Sequence, residues 1–197
     1  MREPWQLNAR TSGGLSLIPQ DLRYFNEHFI GRSMISTWIW PPEFLILKKS
    51  GRRNDFLVWH TSAPVVSEKA LFVLSSASAG DFETLPFSEI RGMKYYAINV
   101  LNICDCIDFN LSKIDFYGDD EYGTPRDIKI KRSASLPNGI FKMRRIPGYV
   151  FVSNLLADKL IAQGLTGFGL TRLSTDVLAR GMRGQVPNDH PDLEPCG

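Results

Sequence analysis

NVLNICDCID, residues 99–108, places two cysteines one residue apart among asparagine and aspartate side chains. The stretch has three readings: a metal site, a redox pair, or a strand with sulfur in its core. In an extended backbone, side chains alternate between two faces. Ile98, Val100, Cys104 and Cys106 then share one face with Asn102, and Leu101, Ile103, Ile107 and Phe109 share the other with Asn99 and Asp105. Both faces are largely apolar, as in a central strand covered on both sides, and a free cysteine packs as a small hydrophobe. A structural zinc needs four ligands, usually in two spaced pairs, yet the remaining cysteine is Cys196 in the tail, and His28, His60 and His190 stand isolated. A thiol redox motif needs two residues between its cysteines, and here only Asp105 intervenes. The stretch reads as framework.

Working outward, the chain of 197 residues is long enough for one domain with a full core, or a domain with a short extension. Hydrophobic residues make up 43% and charged residues 22%, an ordinary globular mixture. A net charge of +2 implies neither a nucleic-acid surface nor electrostatic membrane attachment. No apolar run approaches the ~18 residues that span a bilayer. MREPWQLNAR, at the start, has no apolar secretory core. Three cysteines, an odd and low count, suit a reducing compartment. The expectation is a soluble cytoplasmic domain.

Two segments share one grammar. In VVSEKALFVLSSASAG, Ser67 is placed to cap a helix whose apolar face is Ala70, Leu71, Val73, Leu74 and Ala77. Glu68 sits at its positive end, and Gly80 follows it as a stop. In YVFVSNLLADKLIAQGLTGFGL, Ser153 caps a helix over Asn154–Gln163 carrying Leu155, Leu156, Leu160 and Ile161; Gly164 stops it and Phe168–Arg172 is a strand. Both read strand, serine, helix, glycine, strand. The plain reading, that any such connection is written this way, is preferred to an internal repeat.

Further strands are expected at Phe44–Lys48, Phe56–Trp59, Lys94–Asp108, Lys113–Tyr117, Asp127–Lys131, Ile140–Arg145 and Tyr149–Val152, with a short helix over Asp21–Ile30. Pro147-Gly148 suits a type II turn, and Tyr117–Asp127 reads as a long polar loop. The fold class is α+β, a mostly antiparallel sheet, with room for some parallel pairing, carrying a few short helices. An aromatic-rich region over 1–60 packs on a core over 61–173, and 174–197 is a polar tail.

Candidate reactive groups meet ordinary explanations. Asp105 and Asp108 are a carboxylate pair of the kind that holds magnesium or moves protons, but acids at a strand end more often bond a turn. Ser67 and Ser153 lie in no nucleophile elbow. Asp119, Asp120 and Glu121, between Tyr117 and Tyr122, form either a solvated loop or a contact surface for a basic partner. Lys48-Lys49, Arg52-Arg53, Lys131-Arg132 and Arg144-Arg145 are scattered, which favours solubility over a nucleic-acid groove. Trp38 and Trp40 read as core before exposed anchors. There is no Walker loop, dinucleotide fingerprint, zinc-protease motif or kinase signature.

VVSEKALFVL (65–74), KYYAINVLNICDCID (94–108) and IFKMRRIPGYVFVSNLLADKLIAQGLTGF (140–168) together resemble a bacterial immunity-protein family of polymorphic toxin systems, immunity family eleven. Asn154 departs from that pattern, which often has an acid after the second serine. The resemblance implies a cytoplasmic antidote, in systems such as type VI secretion, that binds a co-encoded toxin and blocks its active site. It implies no cofactor, metal, catalytic set, nucleic-acid partner or membrane. Ser67, Tyr95, Tyr96, Asn99, Val100, Ile140, Phe141 and Ser153 would be scaffold. Trp38, Trp40, Tyr117, Asp119, Asp120, Glu121 and Tyr122 are the candidate partner-binding residues. The competing readings are a hydrolase reversing a toxin's modification through Asp105 and Asp108, and a nucleic-acid-binding module.

Overall fold

The structure, a computed structural model, describes residues 3–10, 14–19, 28–38, 44–46, 51–117 and 122–173. The elements run β1 (Trp5–Ala9), β2 (Leu17–Pro19), β3 (Phe44–Ile46), β4 (Phe56–His60), β5 (Ala63–Ser67), α1 (Glu68–Ala77), β6 (Phe82–Ile90), β7 (Met93–Val100), β8 (Ile103–Cys104), β9 (Lys113–Tyr117), β10 (Tyr122–Asp127), β11 (Ile140–Met143), β12 (Val150–Val152), α2 (Asn154–Ala162) and β13 (Phe168–Arg172). A four-stranded sheet has the order β4-β5-β7-β6, and a five-stranded sheet the order β13-β1-β12-β11-β8. β2–β3 and β9–β10 are separate pairs. Among the named strands pairing is antiparallel apart from β8 with β11, and isolated parallel bridges join Gly14 to Arg52 and Ser16 to Val58. The fold is α+β and mostly antiparallel. None of the described helices is long and apolar enough to cross a membrane.

The shared grammar of the two helical segments goes with a shared strand arrangement. In one unit the hairpin β4–β5 leads through Ser67 into α1, and β6 then runs in the direction of β5 with antiparallel β7 between them. In the other, β11–β12 leads through Ser153 into α2, and β13 runs in the direction of β12 with antiparallel β1 between them. Both caps are extended, Ser67 at φ −70°, ψ 165° and Ser153 at φ −66°, ψ 164°. Each hydroxyl accepts from the amide three residues on, Ala70 at 3.3 Å and Leu156 at 3.1 Å. That satisfies a donor the first helical turn leaves unbonded.

Both helices bury one stripe in a core that draws on both sheets, Ala70, Val73 and Leu74 from α1 and Leu156, Ala157 and Leu160 from α2. Leu155 and Ile161, expected inward, are 58% and 61% exposed. The stripe of Leu156, Ala157 and Leu160 follows the helical period, and Leu155 falls on nearly the opposite side. The outer face of each sheet has a core of its own. One gathers Phe29, Trp59, Phe87 and Tyr95, the other Cys106, Phe141, Met143 and Phe151.

The stretch 94–108 is not the single strand expected. β7 ends at Val100, and Leu101–Asn102 carries the chain from the first sheet to the second. The amides of Leu101 and Asn102 both donate to the Asp81 carbonyl, at 2.8 and 3.1 Å, and the Asn102 side chain donates to the Asp81 carboxylate at 2.8 Å. The Asn102 carbonyl then accepts from the Lys142 amide at 2.8 Å, which docks the crossing on β11. Alternation therefore holds inside β7, where Tyr95 and Ala97 face one core and Ile98 and Val100 another, and lapses beyond it.

The polar loop expected over Tyr117–Asp127 is half strand, since β10 pairs with β9 along its length. Of the expected strand Asp127–Lys131, Asp127 ends β10 and the rest contributes one bridge, Ile130 with Ile107. The β11–β12 hairpin forms, but its left-handed residue is Arg145 at φ 67° and not Gly148. The expected helix over Asp21–Ile30 lies outside the described residues except for bends at 28–30, as do 47–48 of the expected strand Phe44–Lys48 and the tail after Leu173.

Candidate functional site

The side chains that look reactive in the sequence are held by neighbours. Cys106 is fully buried among Phe141, Met143 and Ile146. Its Sγ lies 3.9 Å from the Cys104 carbonyl, and burial pushes its thiol pKa well up, which disfavours the nucleophilic thiolate. Asp105 accepts from Lys131 Nζ at 3.0 Å and lies 3.8 Å from an Arg144 guanidinium nitrogen. The bond from Lys131, joined by the charges of both cations, holds its carboxyl below the usual range. Asp108 accepts from the Asn110 amide at 3.1 Å in a turn of its own. The two acids thus serve separate structures. Among the described residues no group of three His, Cys, Asp or Glu could hold a metal ion.

Three polar junctions join the pieces of the molecule. The first is Asp55. Its carboxylate accepts from the Ser67 hydroxyl at 2.8 Å and from the Thr166 amide and hydroxyl at 2.9 and 3.0 Å. The Asp55 amide donates to the Thr166 hydroxyl at 3.1 Å, and the Phe56 amide to the Thr166 carbonyl at 2.9 Å. The Gly-Leu-Thr-Gly stretch after α2 is therefore docked on the entry to β4 and on the cap of α1. Gly167 has φ +83°, and a Cβ there would lie 2.2 Å from the Phe56 carbonyl oxygen, so only glycine fits.

The second junction is Lys142, which is fully buried. Its ammonium donates to the carbonyls of Phe29, of Ser62 at 2.9 Å in the β4–β5 turn, and of Pro147 at 2.8 Å. Burial pulls its pKa down to about 7. Burial, then the charge of Lys142, brings His60 down to about 4. The third junction is Glu83, whose carboxylate accepts from the Ser33 hydroxyl, from the Met34 amide at 2.8 Å and from Asn99 Nδ2 at 2.9 Å. Burial raises its pKa, but the three hydrogen bonds outweigh that and leave it below the ordinary value. Asn99 also donates to the Arg32 carbonyl at 2.7 Å. These bonds fasten residues 32–34 to the four-stranded sheet.

Sequence reading did not single out Asp55, Glu83 or Lys142. Lys142 alone left a signal, a lysine at an alternating position in an otherwise apolar strand. The residues named as scaffold hold these places: Tyr95 donates to the Asn54 carbonyl at 3.0 Å, Tyr96 to Glu68 at 3.2 Å, and Val100, Ile140 and Phe141 are buried.

The candidate contact residues divide between two places. Trp38 is half-buried on the four-stranded sheet, its indole donating to the Pro86 carbonyl at 2.7 Å and meeting Phe29 edge-on at 5.9 Å. Tyr117 and Tyr122 are direct partners at the end of the β9–β10 ladder, and Tyr122 is 38% exposed. Trp40, Asp119, Asp120 and Glu121 lie outside the described residues. Among the described members of the basic pairs, Lys131 and Arg144 share Asp105, Arg145 stacks on Phe116, and Arg53 donates to the Arg91 carbonyl at 2.9 Å. A cleft of about 250 Å³ between β1 and β4 is walled by Leu7, Phe56, Val58 and Pro64, with His60 and Thr61 beside them. It is smaller than the ~300 Å³ where ordinary ligand pockets begin.

What these positions define is a framework whose ionisable groups are largely engaged in holding the chain together. The chain belongs to the immunity protein family Imm11, whose model matches residues 8–175. No curated protein matches it.

Proposed function

We propose that this protein is a cytoplasmic antidote that binds a co-encoded toxin and blocks its active site without catalysis, cofactor, metal, nucleic acid or membrane. Family membership is the observation that carries the reading. The commitment of Asp105, Asp108 and Cys106 to local bonds and core supports it. The contact surface we assign is the β9–β10 hairpin with the Asp119, Asp120 and Glu121 segment between Tyr117 and Tyr122. Trp38, on the four-stranded sheet, and Trp40 make a second, weaker candidate. Clustered acids suit a toxin with a basic cleft, of the kind that handles nucleic acid or nucleotide, and steer its approach. Tyrosines give anchoring area at small entropy cost. A toxin delivered by type VI secretion would meet the antidote in the recipient cytoplasm.

The test is co-purification with the toxin domain encoded in the same locus, together with co-expression. The expected result is a stable complex and protected cells. Lack of a complex, with toxicity unchanged, sinks the reading. The hydrolase alternative predicts that Asp105→Asn and Asp108→Asn abolish protection. Protection retained by both variants removes it.

A further inference from the structure

The β9–β10 hairpin pairs with no other strand among the described residues. One residue of the turn between β11 and β12 grips it twice. The Gly123 amide in β10 donates to the Arg145 carbonyl at 2.9 Å. The Arg145 guanidinium lies 4.3 Å from the ring centre of Phe116 in β9 and 5.2 Å from that of Phe109, just before the hairpin. Both rings offer their negative faces to a delocalised cation, which Arg supplies better than Lys. Arg145 does this from a left-handed backbone, φ 67°, in the turn between β11 and β12. Glycine would adopt that conformation without a steric penalty. The side chain there is thus tied to a strained backbone whose carbonyl and guanidinium both point at the hairpin. Within the hairpin Gly123 lets β10 lie close on β9, since a Cβ there would lie 2.5 Å from an Ile114 methyl and 2.8 Å from the Asp115 carbonyl.

We propose that Arg145 is the positioning residue that fixes the attitude of the β9–β10 hairpin and so holds its strands in place for the toxin. The inference rests on the toxin-contact role assigned to that hairpin above. A held arm binds without paying the ordering cost at the moment of contact, so loosening it weakens binding without removing any contact.

Arg145→Gly tests the grip, because it relieves the backbone while it removes the guanidinium; Arg145→Lys keeps the charge. Two readouts are needed: amide exchange of Gly123 and its hairpin neighbours in the free protein, and binding of the toxin domain from the same locus. The expected result for Arg145→Gly is faster exchange confined to the hairpin, an unchanged melting temperature and about tenfold weaker binding, with Arg145→Lys in between. A third variant reverses the charges of Asp119, Asp120 and Glu121. If that variant loses binding while Arg145→Gly binds as the parent does, the positioning role is overturned and the contact surface stands. If neither change weakens binding, the contact surface itself is wrong. Unchanged exchange in Arg145→Gly overturns the grip directly.

Discussion

The two hairpin–helix–strand units share a connection but complete their sheets by different routes. β7, the strand between β5 and β6, follows β6 through a two-residue turn, Arg91 at φ 53° and Gly92 at φ 75°. Two positive φ values in a two-residue loop match the twist of the strands it joins. β1, the strand between β12 and β13, arrives from the other end of the chain, with Leu7 opposite Val150 on one side and Leu170 on the other. One unit can assemble from contacts close in sequence. The other must bring together residues 143–167 positions apart, and such closure costs chain entropy before any contact forms. A single local plan can therefore yield a self-sufficient sheet and a dependent one.

The largest expected effect follows from removing residues 1–10. β12 and β13 lose their shared neighbour, and the Leu7 side chain leaves the core common to both sheets. Hydrogen exchange should show protection lost in β12 and β13 and largely kept in β5, β6 and β7, with a peptide of residues 3–10 restoring it in trans. Uniform loss across both sheets would mean that the two units unfold as one.

The caps give the next test. Ser153→Ala should cost about 1 kcal/mol, mostly the lost cap, because the bond its hydroxyl donates to the Asn138 carbonyl at 2.6 Å is neutral and exposed to water. Ser67→Ala should cost about 2 kcal/mol, because the Ser67 hydroxyl donates to the Asp55 carboxylate, which loses a charge-assisted bond. Urea midpoints decide between these values. Equal losses would demote the Asp55 junction to decoration.

The smallest effect comes from His60 as pH falls. His60 titrates near 4 when folded and near 6.5 when unfolded. The unfolded chain therefore binds more protons between those values, and stability falls as pH drops from about 6.5 to about 4. After discounting for the exposed part of the ring, about 1 kcal/mol is at stake. His60→Gln should flatten that part of the pH profile, and an unchanged slope would locate the titration elsewhere.

Features with local causes were legible in the sequence. Ser67, Ser153 and the strand Phe168–Arg172 needed only neighbouring residues to be read. β10 was missed because Gly123, Thr124, Pro125 and Arg126 make an unpromising strand on their own, and its pairing with β9 supplies the order. The crossing at Leu101–Asn102 was hidden inside an apolar run, since its cause is Asp81, about twenty positions away. Asp55 sat unnoticed in a polar turn because Thr166, its partner, is 111 positions distant. Of the candidate contact surface, the sequence supplied the acids and tyrosines. The grip of Arg145 belongs to tertiary structure alone.

The caged amine of Lys142 has a practical consequence. All three of its hydrogens are engaged by carbonyls of three separate segments, and none of the side chain reaches solvent. An acylating reagent can modify this lysine only in molecules where those segments have parted. The extent of its modification, read by mass spectrometry, therefore counts openings of the seam between the sheets and makes Lys142 an intrinsic clock for that motion.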